Sequence, residues 1–116
     1  MKVYAGLRGS GKTYKLAHDC MKNERGVFVV NAYYMIRYIE REYPDLRGRV
    51  AHREGVDRLP QQVMLYIDEV RDGENLDWAQ PREIGAIAVA VLPNEAVNPH
   101  LPASYTARLK DLYFPE

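Results

Sequence analysis

Gly6-Leu7-Arg8-Gly9-Ser10-Gly11-Lys12-Thr13 follows a short apolar run, Val3-Tyr4-Ala5, and precedes a segment of helical periodicity. The octapeptide satisfies the pattern G-x-x-x-x-G-K-[ST] in full, and that spacing has a physical cause. A loop that wraps a phosphate must turn successive backbone N–H groups inward, which needs positive φ angles and close backbone approach; Gly6, Gly9 and Gly11 are placed to supply both. A helix starting at about Lys12 aims its unpaired N–H groups and partial positive charge at the same anion. Lys12 is then expected to reach the β- and γ-phosphates, and the Thr13 hydroxyl to ligate Mg²⁺. Arg8, Ser10 and Tyr14 are expected among the nucleotide contacts of the same loop.

On either side of this loop, strand and helix patterns alternate. Lys2–Ala5 reads as a buried first strand, and Thr13–Glu24 as a helix with Leu16, Ala17, Cys20 and Met21 on one face and Gly26 placed to stop it. The run 26–31 is continuously apolar until Asn31, the mark of a strand covered on both faces of a parallel sheet. Ala32–Tyr43 reads as a helix closed by Pro44, and Arg49–His52 as a short edge strand. Gln62–Ile67 is another buried strand, Trp78 falls on a short helix, and Ile84–Leu92 is the last clear strand before Pro93. The tail, 95–116, reads as irregular apart from a helix over Ser104–Leu112. The expected fold is one α/β domain over 1–116, a three-layer sandwich around a mainly parallel sheet of four or five strands.

The second chemical feature is Val63-Met64-Leu65-Tyr66-Ile67-Asp68-Glu69, an apolar run that delivers an acidic pair at its C-terminal end. In open α/β sheets ligands bind at the edge formed by strand C-termini. The run resembles a Walker B strand, and that resemblance implies that Asp68 holds Mg²⁺ through its water shell and that Glu69 polarises an attacking water or serves as base towards a bound hydroxyl. In many P-loop enzymes a polar residue at the tip of the corresponding strand senses the γ-phosphate, and by that resemblance Asn94 is a candidate sensor, with a plain turn residue as the alternative. Arg8, Arg82 and Arg108 are candidates for neutralising transition-state charge.

With 16 basic and 16 acidic residues the chain has no net charge, which gives no global reason to expect nucleic acid or a membrane surface. The charge is unevenly spread. Residues 1–64 carry 12 Lys/Arg against 7 Asp/Glu, and residues 65–116 carry 4 against 9. Six arginines between Arg37 and Arg58 are interleaved with five acids, so a solvated face is expected there instead of a nucleic-acid patch. Tyr33, Tyr34 and Tyr38 are open to two readings, base stacking or helix-face packing. Cys20 is the only cysteine, so neither an internal disulfide nor a cysteine-rich zinc site is expected. No leader is read ahead of Lys2, and no apolar run approaches the about 20 residues of a membrane helix, so a soluble, cytoplasmic protein without a membrane segment is expected.

The glycine-rich loop and the run ending in Asp68-Glu69 resemble the Walker A and Walker B motifs of P-loop NTPases that carry a catalytic glutamate. That RecA-like group includes motors, helicases and packaging ATPases. The order of motifs is similar to viral and phage assembly or DNA-pumping ATPases of the zonula-occludens-toxin-like kind. The resemblance covers residues 1–94, its specific part being Walker A at 6–13 and Walker B at 63–69. It implies Mg²⁺-dependent binding and hydrolysis of a nucleoside triphosphate, with ATP the expected substrate and Lys12 and Glu69 in catalytic roles. It also implies a strand between those of the two motifs, which 84–92 can supply. Such proteins normally run longer, so a homo-oligomer or a partner protein is expected, with nucleic acid as a further partner of the motor types. A thymidine-kinase-like nucleoside kinase is the rival, weakened because Cys20 alone cannot build that family's zinc site. A non-hydrolysing nucleotide-binding module is the third reading, and Glu69 argues against it.

Overall fold

The apolar runs pair into a single sheet. The computed structural model describes residues 1–6, 11–71 and 73–90. Its strands are β1 (Lys2–Gly6), β2 (Gly26–Val30), β3 (Val50–His52), β4 (Met64–Val70) and β5 (Glu83–Ala90), and its α-helices are α1 (Lys12–Met21) and α2 (Tyr34–Glu42). All neighbours are parallel, in the order β1-β5-β4-β2-β3. The last strand therefore lies between the strand that precedes the glycine-rich loop and the strand that carries Asp68. The short stretch after Arg49 is the edge strand its sequence suggested, paired with β2 from Phe28↔Val50 to Val30↔His52.

Parallel strands need cover on both faces, and the two faces are covered differently. Leu16, Ala17 and Cys20 of α1 and Ile39 of α2 pack on Phe28, Val30, Tyr66, Ala86 and Ala88. On the other face, Val56 and Ala79 close over Val27, Val29, Leu65, Ile67, Ile87 and Val89. Those two residues sit on 3-10 helices, Arg53–Arg58 and Asp77–Ala79. The architecture is thus α/β and layered, but among the described residues its third layer is made of 3-10 turns, with both α-helices on the same face.

Several local expectations need correction. Gly26 does not cap α1, which ends at Met21; it opens β2, and a Cβ there would lie 2.7 Å from the Cys20 carbonyl oxygen. The glycine is required by close packing of β2 under the end of α1. Gly6 pairs with Ala90 as part of β1 and has no positive φ, so of the loop glycines within the described residues only Gly11, at φ +83°, uses that freedom. The interleaved arginines are not simply a solvated face. Arg49 donates to the carbonyls of Asn23, Glu24 and Asp45, and Arg53 pairs with Glu74 at 3.1 Å while lying 5.2 Å from the Trp78 ring centre. Residues 104–112 lie outside the described residues, as does the whole tail.

Candidate functional site

Because every strand runs the same way, the ends of β1, β4 and β2 meet the start of α1 and α2 along one edge of the sheet. α1 begins at Lys12, directly after Gly11 in the left-handed conformation (φ 83°, ψ 14°), a residue with no side chain to cap the first turn. The first turn of α1 lies at the edge of the sheet where β1 ends. The Tyr4 hydroxyl donates to the Asp19 carboxylate and ties the far end of α1 to β1.

Here the structure brings Thr13 and Asp68, 55 residues apart in sequence, into hydrogen-bond contact: the Thr13 hydroxyl lies 3.2 and 3.3 Å from the two carboxylate oxygens. Asp68 is 4% exposed and also accepts the Glu69 backbone N–H at 3.0 Å. Burial pushes its carboxyl above the ordinary value; the Glu69 N–H, the Thr13 hydroxyl and the Lys12 charge pull the other way, and the Glu69 charge adds to the rise. A buried carboxylate that remains raised despite these partners is a group that a cation would relieve. One carboxylate and one hydroxyl, with waters and phosphate oxygens filling the other positions, is a donor set that fits Mg²⁺. No cluster of three or more His, Cys, Asp or Glu suited to a metal exists among the described residues.

The acidic pair does not end its strand, as its sequence suggested. β4 continues to Val70, and between Ile67↔Ile87 and Val70↔Val89 two residues of β4 face one of β5. This bulge includes Glu69, whose φ of 53° is in the left-handed region that non-glycine residues rarely adopt. Simple alternation would send Glu69 to the face opposite Asp68. With the bulge, Val70 joins Ile67 in the core on that face, while Glu69 is exposed and lines the same cleft as Asp68.

That cleft has a volume of about 460 Å³. Thr13, Asp68 and Glu69 form one wall, and Tyr34, Met35, Tyr38 and Tyr43 form the other. The tyrosines were open to a packing reading, but Tyr33, Tyr34 and Tyr38 are 65%, 77% and 47% exposed. Tyr33 is outside the cleft and stacks on His52 at 4.0 Å. The wall of α2 was not legible as a site because i,i+4 tyrosines are equally compatible with a buried stripe.

The remaining candidates fall as follows. Tyr14 packs its ring against His18 at 4.1 Å, along the outside of α1. Arg82 donates to the carbonyls of Asp57 and Leu59 beside the start of β5, at the sheet edge opposite Asp68. The structure does not bring it to this site. Arg8, Gly9, Ser10, Asn94 and Arg108 lie outside the described residues. Among the described residues no helix is long and apolar enough to cross a membrane. The chain matches no protein-family model, and comparison with curated proteins and with solved structures finds no significant match.

Proposed function

We propose that the chain binds a nucleoside triphosphate with Mg²⁺ and hydrolyses it, ATP being the first substrate to try. The observation that carries this reading is the contact of the Thr13 hydroxyl with the buried Asp68 carboxylate, at the sheet edge where α1 starts within a complete G-x-x-x-x-G-K-[ST] stretch. Gly6 to Tyr14 then cradle the phosphates, with Lys12 on the β- and γ-phosphates. Thr13 and Asp68 hold the metal, which supplies charge neutralisation to the phosphates. Glu69, aimed into the cleft by the bulge, accepts the proton of the attacking water. The nucleotide-binding core acts as a homo-oligomer or with a partner protein, in the manner of P-loop assembly or motor ATPases, and works in the cytoplasm.

Two measurements test this. Lys12→Ala should abolish detectable MgATP binding by calorimetry, and wild-type affinity in that variant would overturn the phosphate cradle. Glu69→Gln should bind MgATP as wild type does while phosphate release falls by about 10²-fold or more, the range for loss of a general base. Undiminished turnover would remove Glu69 from the mechanism.

A further inference from the structure

The tyrosine wall has no role in holding the triphosphate as proposed above, and its exposure shows that the core does not need Tyr34 or Tyr38. Large aromatic rings left in water at the mouth of a catalytic cleft are a standing hydrophobic cost unless something covers them. Their position limits what that can be. In the reading proposed above, Thr13 and Asp68 would hold the metal at the phosphate end of the nucleotide, which would place the nucleotide's own base away from Asp68 and Glu69. What lies against Tyr34, Tyr38 and Tyr43 is therefore a second molecule, facing the γ-phosphate.

The chemistry of the cleft narrows the class. Its volume of about 460 Å³ suits a small molecule, not a folded partner. Three phenol rings and the Met35 thioether offer stacking and soft apolar contact to a planar ring. The exposed Glu69 carboxylate and the tyrosine hydroxyls can accept hydrogen bonds from ring N–H groups or sugar hydroxyls, which a purely apolar ring does not offer. No lysine or arginine stands with the tyrosines among the described residues lining the cleft, so nothing on that side pairs with the phosphate of a second nucleotide or of a phosphodiester strand. A second cation would sit beside the metal. We infer that this cleft is a binding subsite for a neutral nucleoside, its base stacked on the tyrosines of α2 and its hydroxyl side towards Glu69. The inference rests on the triphosphate reading for its orientation, while its own observation is the aromatic wall.

Calorimetric titration of the full chain with adenosine, guanosine, cytidine and thymidine, each with saturating MgADP and without it, tests the inference alongside a separate MgATP titration. At least one nucleoside should bind with a Kd at or below about 1 mM, the weak end of specific recognition. Tyr34→Ala and Tyr38→Ala should each weaken that nucleoside by about 10-fold or more, as loss of one base-stacking partner does, and the Phe variants should restore it. Both side chains are largely exposed, so these variants should fold, which circular dichroism checks. A wild-type chain that binds MgATP but no nucleoside overturns the subsite and leaves the triphosphate reading intact. Nucleoside binding without MgATP binding does the reverse. Tight, salt-dependent capture of a single-stranded oligonucleotide through the same tyrosines, with no free nucleoside bound, would also overturn the assignment.

Discussion

Asp68 and Glu69 are adjacent carboxylates in opposite surroundings. Asp68 is buried against Thr13, whereas Glu69 is exposed on a left-handed backbone. Burial raises the Asp68 carboxyl above its unfolded value, so the folded chain binds its proton more tightly than the unfolded chain does. The stabilisation is therefore fully present below the ordinary carboxyl range and is lost as pH rises through the raised value. Above it, the charged group is a cost that the ligand-free protein carries. Asp68→Asn should accordingly raise the melting temperature of the ligand-free chain at pH 7, with the gain vanishing on acidification, while metal-dependent nucleotide binding disappears. Thermal unfolding at pH 7 and pH 4 checks the sign; a loss of stability at pH 7 would contradict it. At Glu69 the strain itself is testable: Glu69→Gly should relieve the positive φ and stabilise the fold by about 1 kcal/mol, within the range for such backbone strain.

At the scale of elements, the pairing of β4 with β5 holds the site together, and it is irregular in two places. One bulge turns the acidic pair. The other, between Leu65↔Ile84 and Tyr66↔Ala86, leaves Gly85 opposite the Tyr66 ring. A Cβ on Gly85 would lie 2.7 Å from Tyr66 Cζ and 2.9 Å from Met64 Sδ. The ring has little room to move, since the Asn23 side-chain amide donates to the Tyr66 hydroxyl at 3.2 Å. Gly85→Ala should therefore destabilise the chain by about 1–3 kcal/mol, the usual cost of overpacking, read from urea unfolding. Nothing in the apolar run Ile84–Leu92 marks this glycine apart from the residue type. Likewise, helix periodicity located α2 but left its tyrosines ambiguous, because burial depends on what faces the helix and not on its own spacing.

For the whole molecule, the sheet edge gathers groups from the first, fourth and second strands, so a ligand there ties distant segments to one another. Binding to the folded chain alone adds stability by mass action, about 2.7 kcal/mol at a concentration of 100 times Kd. For a domain of this size such a gain moves the melting temperature by several degrees, roughly 10 °C. MgATP at that concentration should raise the midpoint accordingly, and excess EDTA should remove most of the shift. No shift with MgATP would count against the proposed site as a whole. The two cores differ in kind as well: α1 and α2 seal one face, while short 3-10 turns seal the other.

The sequence by itself determined the alternation of strands and helices, the parallel sheet and the place of the glycine-rich loop, because these follow from local periodicity and from spacing within a few residues. It also singled out Thr13 and Asp68, which the fold brings into hydrogen-bond contact. Only the tertiary structure decided which residues complete the cleft. The bulge that carries Glu69 arises from pairing with β5, and the exposure of Tyr34 and Tyr38 from the absence of any element over that side of α2 among the described residues. The assignment of Arg49 and Arg53 to structural contacts is of the same kind. Each depends on contacts between segments far apart in the chain, and a pattern of nearest neighbours does not contain them.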